Sequence, residues 1–278
     1  MPTFSSTATP GTRIYYEDIG GHGRPIVLIH GWPLSHRMWE GQVNALTDAG
    51  YRCVAYDRRG FGDSDRPTDG YDYDTFASDL NDLIHTLALK DAVLVGFSMG
   101  GGEVVRYLAR YGDEDRVTAA VLVGAVPPFL LKTADNPDGI DGSVFDGMIA
   151  AVKANRVTFL EQFLPNFYNL DAEGRDLSAD VVAYAKSMAW PASPLATQQC
   201  ITAFGTTDFR QDLAAITVPT LVVHGDADRI VPLDISGRRT AAMIAGARLE
   251  VVAGGPHGLT ATHGEHLNTL LLEFLQAR

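Results

Sequence analysis

The stretch that most narrows the fold of this chain is residues 91–111, DAVLVGFSMGGGEVVRYLARY, where a β-branched run meets a glycine-flanked serine and turns at once into a helical pattern. Val93, Leu94 and Val95 form the short apolar run of a strand buried on both faces, and Val104, Val105, Leu108 and Tyr111 recur at helical spacing. Between them lies Gly96-Phe97-Ser98-Met99-Gly100. A serine on so abrupt a strand-to-helix turn is held in a strained backbone conformation, and a glycine two residues to either side leaves room for the neighbouring chain to pass. Its hydroxyl then stands at the carboxyl edge of the sheet, where the free N–H groups of the following helix converge. A chain with 28 glycines can also make such a turn merely to bind an anion. The strand before it and the helix after it favour a nucleophile.

At 278 residues and 30.0 kDa the chain can hold one α/β unit with an insertion. A net charge of −12 and a pI near 5.0, with no cluster of Lys or Arg to offset the field locally, exclude nucleic acid and anionic lipid as expected partners. Residues 1–11 carry no basic stretch followed by an apolar core, and no apolar run reaches the length of a membrane span, so a cytoplasmic location is expected. Cys53 and Cys200 lack metal spacing and read as buried thiols.

In chain order, a Ser/Thr/Pro-rich tail is expected to be loosely ordered, and residues 13–18 alternate like an edge strand. The strand at residues 26–29 runs into His30-Gly31-Trp32-Pro33, and Met38, Trp39, Val43 and Leu46 mark an amphipathic helix. In a serine-elbow architecture the loop after such a strand supplies one oxyanion-hole N–H and the residue after the nucleophile supplies the other, which assigns Trp32 and Met99. The His30 side chain reads as a loop holder. A strand at residues 52–56 leads into Asp57-Arg58-Arg59-Gly60-Phe61-Gly62-Asp63; such a charge run is usually a solvated face, although this one leaves a strand end near Ser98 and suits a supporting role. A helix over residues 73–89, capped by Asp72 or Asp74, returns to the serine strand, and the alternation predicts a mostly parallel sheet with helices on both faces.

After a strand at residues 119–123 the rhythm changes to helical patterns without intervening strands. This predicts an inserted helical cap over residues 127–205, with residues 1–126 and 206–278 forming the core. A cap above a catalytic edge lines its cavity with apolar groups, which nominates Phe129, Phe145, Phe163 and Ile230, with Pro33 beside the oxyanion loop. The strand at residues 220–223 ends in HGDADRIVP, and that at residues 248–252 ends in GGPHG. Serine, acid and histidine in that chain order fit Ser98, Asp228 and His257, with Asp226 as the competing acid and one helix, residues 233–244, between acid and base. His224, Asp226, Asp228, His257, His263 and His266 form no recognised metal-ligand spacing.

Taken together, HGWP, YDRRGFGDSD, GFSMGGGEVVRY, HGDADRIVP and GGPHGLTATH resemble the cofactor-free haloperoxidase, arylesterase and perhydrolase branch of the α/β-hydrolase superfamily. The resemblance runs from about residue 12 to the C-terminus and places the nucleophile, acid and base on Ser98, Asp228 and His257. It implies ester hydrolysis through an acyl-enzyme, peracid formation when hydrogen peroxide replaces water, no haem or metal cofactor, and often a homo-oligomer. It further implies that a proline at position 33 accompanies efficient perhydrolysis. Dehalogenase and epoxide hydrolase chemistry would need a carboxylate in place of Ser98. Lactonase, lactamase or carbon–carbon hydrolase chemistry would use the same three residues, and a hydrolase-like receptor would keep the pocket with little turnover.

Overall fold

The structure, a computed structural model, describes residues 1–114 and 116–277. Among the described residues eight strands form one sheet: β1 (Thr3–Ser5), β2 (Arg13–Ile19), β3 (Pro25–Ile29), β4 (Arg52–Tyr56), β5 (Ala92–Phe97), β6 (Val117–Val123), β7 (Thr220–Gly225) and β8 (Arg248–Val252). Their order is β1-β2-β4-β3-β5-β6-β7-β8, with the β1–β2 and β2–β4 pairings antiparallel and the other five parallel. All six residues of β5 and of β7 are buried, so both faces of the sheet centre are covered, as a run without polar alternation requires.

The helices are α1 (Glu40–Asp48), α2 (Tyr73–Thr86), α3 (Met99–Tyr111), α4 (Gly142–Tyr168), α5 (Ala179–Ala189), α6 (Pro194–Thr206), α7 (Arg210–Ala214), α8 (Gly237–Met243), α9 (Leu259–Thr262) and α10 (Gly264–Gln276). They pack in groups: α1 with α9 and α10; α2 and α7 on α3, with α8 against α7; and α5 and α6 on α4. The last group lies between β6 and β7 in sequence, and α4 changes direction at Asn155. Among the described residues no helix is long and apolar enough to cross a membrane.

Three expectations need correction. The first residues are not a loose tail: Phe4 is buried beside Tyr16, which seats β1 against β2, and the Thr7 N–H and hydroxyl donate to Asp82 on α2. The helix expected over residues 233–244 is broken at Ser236, leaving a 3-10 turn at Leu233–Ile235 before α8. The solvated face usual for a charge run holds only at the end of the run after β4, where Asp63 is exposed. Asp57, Arg58 and Arg59 are all buried, with Arg58 paired to Glu103 and Arg59 to Asp79. Elsewhere Asp72 caps α2 by accepting the Thr75 N–H, and both cysteines are free and buried.

Candidate active site

Ser98 joins β5 to α3 with φ 54° and ψ −119°, a conformation that side-chain-bearing residues rarely adopt. Its surroundings hold it there. The Ser98 N–H donates to the Val123 carbonyl, and its own carbonyl accepts from Gly101 and Val126. A Cβ on Gly96 would stand 2.5 Å from the Gly100 carbonyl oxygen, and one on Gly100 would stand 2.4 Å from that of Ile29. The two flanking glycines are therefore demanded by chain packing rather than by their own dihedrals.

Two later strand ends bring up the partners. His257 Nδ1 lies 2.7 Å from Asp228 Oδ2, and His257 Nε2 lies 2.9 Å from Ser98 Oγ. A carboxylate can only accept, so Nδ1 carries the proton, and the bare Nε2 accepts from the serine hydroxyl. Phe97 and Phe167 pack against the imidazole at 4.9 and 5.0 Å, leaving His257 1% exposed. The other carboxylate oxygen of Asp228 accepts the N–H groups of Ile230 and Val231, and His224 Nε2 lies 3.4 Å from Oδ2 while donating to the Val231 carbonyl. Burial alone would raise the Asp228 pKa, but His257 and His224 outweigh it and hold the carboxyl well below the usual range. Asp226 is exposed and turned elsewhere, where it accepts the Gly254 N–H and shapes the turn.

The N–H groups of Trp32 and Met99, the expected oxyanion donors, have no acceptor among the described residues. The Trp32 indole is fixed independently, donating to the Thr197 carbonyl on α6 and meeting Phe159, Phe163 and Phe204 edge-on or tilted. His30 behaves as a loop holder. Its Nδ1 donates to the Gly31 carbonyl, its Nε2 accepts the Arg58 N–H, and burial followed by the Arg58 charge lowers its pKa to about 3.

Beside Ser98 and His257 opens a cavity of about 220 Å³. Phe145, Phe163 and Ile230 line it as expected from the sequence, together with Trp32, Val126, Leu130, Ile140, Val144, Met148, Phe159, Phe204, Arg229 and Val231. Phe129 does not: its ring lies under the guanidinium of Arg210, 5.2 Å away. Pro33 is buried but also stands outside the lining. Phe159 belongs to the same helical stripe as Phe163, and that spacing was the available signal for it. Among the described residues no three His, Cys, Asp or Glu side chains converge as metal ligands.

Residues 24–263 match the family described as alpha/beta hydrolase fold. A non-heme chloroperoxidase of Kitasatospora aureofaciens is 44% identical, with 97% of this chain and 98% of that protein aligned. A bifunctional esterase/perhydrolase of Acinetobacter calcoaceticus is 38% identical, with 98% and 99% aligned. The crystal structure of a bromoperoxidase from Bacillus anthracis superposes with a TM-score of 0.92 at 47% identity, covering 99% of this chain and 100% of that one. With the serine elbow, the sheet order and full-length similarity in agreement, the chain belongs to the α/β-hydrolase family, in its non-heme haloperoxidase and esterase branch.

Proposed function

We propose that the protein hydrolyses carboxylic esters through an acyl-enzyme on Ser98, and that hydrogen peroxide can replace water in the second half of the cycle. One observation carries the reading: Ser98, His257 and Asp228 form a continuous hydrogen-bonded chain, and its Ser98 and His257 members line an apolar cavity. Ser98 Oγ attacks the ester carbonyl as His257 Nε2 takes its proton, while Asp228 holds the imidazole and stabilises its charged form. The Trp32 and Met99 N–H groups take the developing oxyanion. The carbon–oxygen bond to the alcohol then breaks, and the alcohol leaves with the proton from His257. Water next gives a proton to His257 and attacks the acyl carbon; Ser98 recovers that proton as the acid leaves.

If peroxide attacks instead, the product is a peracid, which passes an oxygen atom to bromide to give hypobromous acid and the carboxylate. The names of the Kitasatospora and Acinetobacter relatives support this second use of the site. To Pro33 we assign the orientation of the Trp32 carbonyl toward the attacking peroxide, because proline has no N–H and restricts the residue before it. Residues 127–205 serve as the cap that walls the cavity. At about 220 Å³ the cavity falls below the ~300–1,000 Å³ of sites for drug-sized ligands, which favours short acyl chains.

Ser98→Ala should abolish both p-nitrophenyl acetate hydrolysis and fluorophosphonate labelling; more than about a hundredth of wild-type activity would refute the nucleophile. Bromination of a dimedone-type reporter should require acetate as well as peroxide and bromide, and should vanish in Ser98→Ala. Bromination without any carboxylate would refute the shared site. Pro33→Leu should lower the ratio of perhydrolysis to hydrolysis, and an unchanged ratio would refute the role given to Pro33.

A further inference from the structure

Among the described residues lining the cavity, Arg229 is the only permanently charged one. It stands between the triad acid Asp228 and Ile230, on a loop whose path is fixed by the Ile230 and Val231 N–H groups donating to Asp228. Across from it, the segment after α4 is tied to the same loop, since Asn169 Nδ2 donates to the Ala227 carbonyl at 2.8 Å. That tie brings Asp171 within 2.6 Å of Arg229 Nη1.

This ion pair does not consume the guanidinium. Asp171 engages Nη1 alone, and Nε and Nη2 of Arg229 have no protein acceptor among the described residues. The pair is also loosely held, with the two side chains 44% and 72% exposed, and exposed pairs of this kind are worth only about 0–1 kcal/mol. A planar guanidinium with free donors suits a carboxylate, which can take two parallel N–H bonds. An anionic substrate would need a local cation here. At a net charge of −12 the protein's field repels anionic substrates, and the rest of the cavity wall offers a carboxylate no donor beyond the groups at the reacting centre.

Building on the ester-hydrolase reading above, we propose that Arg229 is a specificity residue for esters carrying a second, anionic group, namely half-esters of short dicarboxylic acids. The ester carbonyl meets Ser98 while the free carboxylate exchanges with Asp171 for Arg229. Asp171 thereby acts as a competitor that is displaced when such a substrate binds.

The test compares kcat/KM for monomethyl glutarate and for the uncharged methyl hexanoate, followed by pH-stat. In Arg229→Gln the charged-to-neutral ratio should fall about tenfold or more, as loss of a charge-assisted pair implies. Arg229→Lys should keep part of the ratio, and Asp171→Asn should raise it by removing the competitor. If Arg229 serves only to clamp the segment after α4, Arg229→Gln will depress both esters alike and leave the ratio within about twofold of wild type, which overturns the proposal. Failure of the wild type to hydrolyse either ester would overturn the ester-hydrolase reading along with it, whereas hydrolysis of methyl hexanoate without a shift in ratio overturns the Arg229 assignment alone.

Discussion

Asp228→Asn removes little volume and a single charge, and the local hydrogen bonds dictate what it does. The Ile230 and Val231 N–H groups both point at Oδ1, so the new amide must put its carbonyl oxygen there; the reverse orientation sets two buried donors against an NH₂. That choice leaves the amide NH₂ in the place of Oδ2, 2.7 Å from His257 Nδ1. Nδ1 must now accept, the proton moves to Nε2, and an imidazole of that tautomer cannot take the Ser98 proton. The loss expected from a wrong tautomer in such a triad is about 10⁴ in kcat, equivalent to roughly 5.5 kcal/mol of transition-state stabilisation. Asp226→Asn is the control: its carbonyl can still accept the Gly254 N–H, so kcat should stay within about threefold. Initial rates on p-nitrophenyl acetate, with circular dichroism to confirm folding, separate the two. A folded Asp228→Asn protein within about a hundredfold of wild type would refute the tautomer argument, and a larger loss in Asp226→Asn would reassign the acid.

Two other perturbations probe the scaffold. Gly100→Ala would place a Cβ 2.4 Å from the Ile29 carbonyl oxygen of β3 and should cost about 1–3 kcal/mol or more, whereas Gly147→Ala, on α4 with nothing within 4 Å, should stabilise by about 0.5–1 kcal/mol; similar urea midpoints for the two would contradict the close approach. His36 Nδ1 faces Asp57 and its Nε2 faces Glu17, and although burial and Arg37 oppose the charged form, these carboxylates raise its pKa. A raised histidine pKa stabilises fully below the unfolded value near ~6.5 and ceases to do so as pH rises through the folded value, so His36→Gln should be more destabilising at about pH 6 than at pH 8.5. An equal or larger cost at the higher pH would reverse the assignment.

Legibility followed locality. The juxtaposition of Ser98, Asp228 and His257 could be read because each lies just beyond the carboxyl end of a strand, and the chain order of the three is informative in itself. The β1 strand escaped because three residues carry no period; its order comes from Phe4, whose partner Tyr16 lies on the next strand. The break at Ser236 had no proline to announce it. The pocket residues were only partly within reach, since the helical spacing around Phe145 and Phe163 says which residues share a face but not which element that face meets, and Phe129 lies between β6 and α4, where no period applies. Phe129 met Arg210, and Phe145 and Phe163 met the cavity.

The buried charge after β4 shows why this limit matters to function. Arg58 pairs with Glu103 on α3, the helix that Ser98 begins, and Tyr56 on β4 donates to the same carboxylate. Its backbone N–H and Nη2 reach His30 Nε2 and the His30 carbonyl, two residues before the Trp32 N–H. Burial pushes Glu103 and Arg58 toward their neutral forms, so the pair is a poor source of net stability. What it supplies is geometry. The proposed oxyanion donors come from separate segments, one after β3 and one at the start of α3, and they can act together only if their spacing is held to a fraction of an ångström. A loop anchored in both segments through directional, water-excluded bonds meets that demand in a way that apolar packing, which has no preferred direction, does not.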